Sequence, residues 1–337
     1  MSISLHVSAY RIYPRSRDCC RHQWRGIIGL KLQESLIQLH PASCTPSFTT
    51  NRYRLCYQCT MSPVKPSNLL PTRAPGPLQA FIDGYPHQRT SPSQNHNLEF
   101  YTLARKCQPD NLDLRQMRAK LSGDMEECEH NHGWVQWRVY RSSVPHNPLE
   151  QYPFPLRRLF PIRAQGVNPS AQPLQPHEIT QLLSKPGIQD SLIDSYKIWL
   201  KFLGLRLVDR QTGLLGRDER GFAARTKNFR QNSHNLLRVS RVMQWLSEFQ
   251  MEQHSESFLL CLLAERKAYG WSISSSGRAS AFADSVMRYY MWCFRDPSRR
   301  DKVRSVLQGI LEHELSAGDQ DWTADKYKAY LANSERS

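Results

Sequence analysis

The chain has 337 residues, room for one large domain or two small ones, and only 39% of them are hydrophobic, so part of it is expected not to fold. A formal net charge of +15 suits contact with nucleic acid or an anionic membrane surface but specifies neither. The longest apolar run, Phe258–Ala264, is too short to cross a bilayer, and no apolar core followed by a small-residue cleavage site marks a secretory signal near Met1.

Residues 1–60 carry eight Arg and Lys against Asp18 and Glu34, and five of the nine cysteines. Transit peptides share this Arg-rich, acid-poor habit. Translated untranslated sequence shares it too, and Met61 offers an alternative start. The cysteine count is odd, and Cys56-Tyr57-Gln58-Cys59 has no second pair to complete a zinc site, so the cysteines read as reduced thiols. Seven prolines between residues 61 and 96 each remove a donor and fix φ, which predicts a linker or extended arm. Residues 1–96 are therefore expected to be a largely disordered extension.

From residue 97 the pattern turns helical, starting with Leu98, Phe100, Tyr101 and Leu103. A second segment runs from Leu112 to Trp137, with a break at Ser122-Gly123-Asp124. Pro176 takes a first helical position with Glu178 in the first turn, and Pro186-Gly187 stops that helix. Ile188, Leu192, Ile193, Tyr196, Trp199, Leu200 and Leu203 recur at three and four, with Gly204 as the cap. Leu205–Thr226 reads as a long loop with one short strand at Leu205–Val208. Helices resume over Ser233–Phe249, Gln253–Tyr269 and Arg278–Phe294, and Asp296-Pro297 opens another. That last helix begins with Arg299, Arg300 and Lys302 and ends with Glu312 and Glu314, against its macrodipole; an anionic partner or a screened surface would offset this. A final amphipathic piece covers Thr323–Ser334. Strand signals are scarce and no solenoid-length repeat is visible. The expected fold is all-α: one multi-helix domain over residues 97–315, then a short tail or helix over 316–337.

Several polar motifs stand out in order. Asn131-His132-x-x-x-Gln136-Trp137 is followed, after Arg138–Arg158, by Leu159-Phe160-Pro161-Ile162-Arg163. Gln172-Pro173-Leu174 with His177-Glu178-Ile179 comes next. Then come Gly204-x-Arg206-Leu207-x-Asp209-x-x-Thr212-Gly213-x-x-Gly216-Arg217 and Ser233-His234-Asn235-x-Leu237-Arg238-x-x-Arg241. Phe100-Tyr101 and Gln108-Pro109-Asp110 precede them. Together, over residues 97–312, these blocks resemble the conserved region of the opioid growth factor receptor family, in which Gln-Trp runs straight into Leu-Phe-Pro. Arg138–Arg158, with four prolines and no clear period, is then one of two things. It is a surface loop, tolerated because closure entropy grows by only ~0.6 kcal/mol per doubling of length. Or it is a retained in-frame intron, which the matches on both sides and the scarcity of long structureless loops favour.

The resemblance implies receptor-type, non-catalytic binding of a small enkephalin-like peptide, a nuclear or perinuclear location, and a restraining role in proliferation. The candidate ligand-binding set is the polar residues of these blocks: Asn131, His132, Gln136, Trp137, His177, Asp209, His234, Asn235, Arg238 and Arg241. These are expected to converge in space. Arg238 and Arg241 share a helix face and could hold a carboxylate or phosphate bidentately, or pair with Asp209 or Glu178 to hold loops.

Other chemistries fit less well. His130-Asn131-His132 has the letters of an HNH nuclease, but residues two apart do not share a helix face, and a buried hydrogen-bonding cluster explains them as well. Thr212–Arg217 lacks the Gly-Lys-Ser/Thr ending of a phosphate loop, and His177-Glu178 lacks the second histidine of a zincin. No catalytic residue, metal or cofactor is expected. The competing readings are a basic helical module for protein or nucleic acid, and an enzyme built on the Asn/His/Gln/Arg cluster.

Overall fold

Prolines and glycines set the helix starts and stops. The computed structural model describes residues 70–107, 111–123, 159–165, 172–231, 234–273, 281–316 and 321–334. Helices α1 (Gly76–Ile82), α2 (His96–Tyr101) and α3 (Leu114–Gly123) come first. After the buried stretch Leu159–Ile162 follow α4 (Pro176–Leu183) and α5 (Ile188–Phe202). A hairpin of β1 (Leu205–Leu207) and β2 (Leu215–Arg217) leads to α6 (Phe222–Gln231), α7 (His234–Glu248) and α8 (Glu252–Ala264). Then come α9 (Ala281–Arg288), a 3-10 turn (Tyr290–Trp292), α10 (Pro297–Ser316) and α11 (Ala324–Ser334). The fold is all-α, with a single two-stranded pair among the described residues.

Helix α8 carries the longest apolar run of the sequence, and every residue from Ser255 to Leu263 is buried. A helix apolar on all sides belongs in the interior. It packs against α7, α10, α11 and β2. Helix α5 buries Leu192, Ile193, Tyr196, Trp199 and Leu200, as its three-four spacing predicts. It ends at Gly204, whose φ is 76°; a Cβ there would sit 2.9 Å from the Cα of Phe222. Only glycine lets α6 approach so closely. Phe160 is fully buried, edge-on to Trp245 at 4.8 Å and to Trp199 at 6.5 Å, so the Leu159–Ile162 stretch is core.

Two expectations need correcting. Residues 70–96 are not an extended arm: α1 follows Pro75, carries Pro77 in its first turn, and buries Leu78 and Phe81. Those prolines start a helix, where a missing N–H costs nothing. Arg304 fixes the preceding chain by donating to Pro71 O at 2.8 Å and Leu70 O at 3.2 Å. The span 205–226 is not a loop with one strand: Leu205 pairs with Arg217 and Leu207 with Leu215, and α6 begins at Phe222. Over 316–337, expected as a short tail or helix, the helix α11 forms and is packed. It buries Tyr327 and Leu331, and Tyr327 Oη accepts from Leu215 N at 2.9 Å. The segment 138–158 and residues 1–69 lie outside the described residues.

Arg266 at the end of α8 is fully buried. It pairs with Glu314 at 2.9 Å and with Asp321, and donates to Trp322 O at 3.0 Å. A buried guanidinium needs such compensation. No described helix is long and apolar enough to cross a membrane.

Candidate functional site

The most unusual electrostatic arrangement sits at the end of α7. Glu248 is the last residue of that helix, its side chain fully buried. A carboxylate there faces the negative end of the macrodipole as well as the desolvation cost. Arg295 Nη2 lies 2.9 Å from Glu248 Oε1 but is not aligned for a hydrogen bond, so the pair is held by charge. Arg163 is a second cation acting on the same carboxylate. Burial nevertheless pushes the Glu248 carboxyl above its ordinary range, against the pull of both guanidiniums.

Both arginines are held by aromatic faces and backbone. Arg295 lies 4.6 Å over the Phe81 ring and donates through Nε to Phe81 O at 3.1 Å. Arg163 lies 5.1 Å over the Tyr85 ring and donates through Nε to Gln88 Oε1 at 2.6 Å. Gln88 in turn donates to Arg163 O at 3.2 Å and Leu174 O at 3.1 Å. Tyr85 has φ of 53°, rare for an aromatic residue, and its hydroxyl reaches Gln244 Oε1 at 3.5 Å. Burial, then the charge of Glu248, pushes the Tyr85 phenol far up, so it stays a neutral donor.

A second buried carboxylate positions this cluster. Glu178 Oε1 accepts from Asn97 N at 2.8 Å and Leu98 N at 3.1 Å, the opening amides of α2. Its Oε2 accepts from Asn97 Nδ2 at 2.9 Å, Gln172 Nε2 at 3.0 Å and Gln175 N at 2.9 Å. One side chain therefore closes the starts of both α2 and α4. His177 adds a bond of 3.0 Å between Nε2 and Asn95 Oδ1. These contacts hold the segment carrying Tyr85 and Gln88 against α4.

The profile described as opioid growth factor receptor (OGFr) conserved region matches residues 90–141 and 143–322, well over half of the chain. The chain belongs to the opioid growth factor receptor family. Opioid growth factor receptor-like protein 1 of Mus musculus is 28% identical over 234 residues, 68% of this chain and 44% of that protein. Opioid growth factor receptor of Homo sapiens is 28% identical over 195 residues, 57% of this chain and 26% of that protein. The Xenopus tropicalis receptor-like protein 1 is 27% identical over 213 residues, 63% and 36%. The chain thus spans less than half the length of these relatives. No solved structure matches. The opioid growth factor receptor conserved region includes Arg163, Gln244, Glu248 and Arg295, while Phe81, Tyr85 and Gln88 precede it.

The sequence-derived candidates with described side chains make the following contacts. Asn235 Oδ1 accepts from Arg238 Nη1 at 2.8 Å, one turn apart on α7. Arg241 donates through Nε to Phe160 O at 2.8 Å, tying α7 to the Leu159–Arg163 block. Asp209 accepts from Gln211 N at 2.9 Å and Thr212 Oγ1 at 2.8 Å, which hold its carboxyl below the usual range and fix the hairpin turn. Asp209 and Glu178, the expected partners of Arg238 and Arg241, thus make their hydrogen bonds to other groups. His234 opens α7, but its side chain lies outside the described residues, as do Asn131, His132, Gln136 and Trp137. No group of His, Cys, Asp and Glu suited to a metal occurs among the described residues.

Sequence reasoning missed Tyr85, Gln88, Arg163, Glu248 and Arg295. Two signals were present: Arg163 closes a matched motif block, and Gln244 and Glu248 sit four apart on α7 with Ser240, Arg241 and Ser247 on the same polar stripe.

Proposed function

We propose that this chain is a non-catalytic receptor-type protein that binds a short enkephalin-like peptide at the Arg163–Glu248–Arg295 cluster, in a nuclear or perinuclear setting where it restrains proliferation. The observation that carries the reading is a family whose relatives are named as receptors, together with a cluster suited to a peptide carboxylate. Arg163 is half-buried, and its Nη1 and Nη2 donate to no acceptor among the described residues. A carboxylate terminus fits that fork in two parallel charge-assisted bonds. The half-buried ring of Tyr85 offers an apolar surface for an aromatic side chain. Glu248 keeps the two guanidiniums from repelling one another and from straying.

Calorimetric titration of the full chain with an enkephalin-like pentapeptide tests this. Saturable binding is expected, weakened about tenfold or more by C-terminal amidation or by Arg163→Gln, the loss of one charge-assisted pair. Absence of saturable binding, or equal affinity for the free and amidated peptides, would overturn it. Tighter binding of an oligonucleotide than of any peptide would favour the basic-module alternative. Imaging of tagged chain tests the location; exclusion from the nucleus and its periphery would count against it.

A further inference from the structure

The start of α10 carries four cations within two turns: Arg299, Arg300, Lys302 and Arg304. Their partners differ. Arg299 is paired with Glu256, and Lys302 is exposed. Arg300 and Arg304, four apart on one helix face, are half-buried and have no carboxylate partner among the described residues. Each is instead fixed along one edge by carbonyl oxygens. Arg300 Nη1 donates to Phe294 O at 2.6 Å and Arg295 O at 2.7 Å. Arg304 donates to Pro71 O and Leu70 O. Nε and Nη2 of Arg300 and Nε of Arg304 therefore keep their donor capacity. These two side chains line an open cavity of about 310 Å³ with Thr72, Met291, Trp292 and Asp301.

We propose that this cavity binds a phosphate monoester that also carries a hydroxyl or ammonium group. Two guanidiniums fixed in place by backbone carbonyls are preorganised donors, so little side-chain freedom is lost when they meet an oxyanion. The Thr72 hydroxyl adds a neutral donor. Trp292 and Met291 form an apolar wall for the organic part of the ligand, and the Trp292 ring is itself fixed by a bond from Nε1 to Met287 O at 3.2 Å. Asp301 would repel a bare anion, so it selects for a ligand whose hydroxyl or ammonium lies beside the phosphate. The cavity volume is at the small end of ligand sites and suits a compact ester. A bound anion also offsets the basic first turns of α10 against the helix dipole. The site is separate from the peptide cluster and does not depend on that reading.

The test is titration calorimetry of the full chain with inorganic phosphate and with O-phosphoethanolamine at low ionic strength. Phosphoethanolamine is expected to bind saturably, more tightly than phosphate, with affinity falling as salt is added. Arg300→Gln should weaken both probes by about tenfold or more. Asp301→Asn should remove the preference for phosphoethanolamine. If Arg300→Gln does not fold, Arg300→Lys carries the same test, because it keeps the charge and loses the fork. No saturable heat with either probe, or affinities unchanged in the Arg300 variant that folds, overturns the assignment.

Discussion

Replacing Glu178 by glutamine should cost the protein a large part of its stability although the side-chain shape is kept. The carboxylate is fully buried and accepts five N–H donors, two at Oε1 and three at Oε2. A glutamine amide must place its NH2 at one of these two positions. The less costly choice faces it to Asn97 N and Leu98 N, leaving two buried backbone donors opposite a donor. Each unsatisfied group costs roughly 1–3 kcal/mol, so about 2–6 kcal/mol is expected in total. For a cooperative unit of this size that corresponds to a melting temperature lower by roughly 5–15 °C. Thermal unfolding of the full chain followed by circular dichroism measures it, with Glu219→Gln, an exposed carboxylate, as the reference. A Glu178→Gln protein melting within 2 °C of that reference would refute the reasoning, because the carboxylate could not then be what closes α2 and α4.

Asp321 is held at about 2; burial acts to raise it, but hydrogen bonds from Lys267 and Arg266 win. Its stabilisation is therefore complete above the ordinary aspartate range and fades as pH falls toward 2, so Asp321→Asn should cost about 1–2 kcal/mol at pH 7, after solvent screening, and almost nothing near pH 2. Glu248 has the opposite sign: its raised carboxyl binds a proton more readily folded than unfolded, so stability relative to Glu248→Gln should drop as pH rises above 4.5, read from paired melting curves across that range. A flat difference would show that Arg295 and Arg163 fully offset its burial. Gly204→Ala places a Cβ 2.9 Å from Phe222 Cα at a φ of 76°, and should lower the urea midpoint by the equivalent of about 1–3 kcal/mol.

Much of the helical frame was legible because its signals are local. The three-four spacing of Ile188–Leu203 and the capping glycines on either side give α5 almost to the residue. Asp296 accepts from Ser298 N at 2.9 Å, the helix start its Asp-Pro pair predicts. Helix α6 was not legible, since Phe222 and Phe229 are its only large apolar residues among charges and it follows a glycine-rich stretch. Nor was α1, whose prolines look like breakers unless they are placed in the first turn. The cluster at Glu248 was harder still. Its members come from α1's exit, the Leu159–Arg163 block, α7 and the turn before α10, and no periodicity connects them. Charge compensation in the interior is a property of the fold, and each residue alone resembles any surface Arg, Glu or Tyr.

The buried guanidinium of Arg266 sets a physical edge to the folded unit. Its two counter-charges, Glu314 and Asp321, and the carbonyl of Trp322 all come from the far end of α10 and the turn beyond it. A chain cut after Glu312 would lose the packing of Tyr327 and Leu331 on α11, and would also strand a positive charge in the interior at a cost of roughly 3–5 kcal/mol. The family match ends at residue 322, at the last of these partners. Trimming from the C-terminal side should accordingly show two separate losses: a cut after Trp322 removes the packing of α11 but leaves Arg266 neutralised, and a cut before Glu314 removes both.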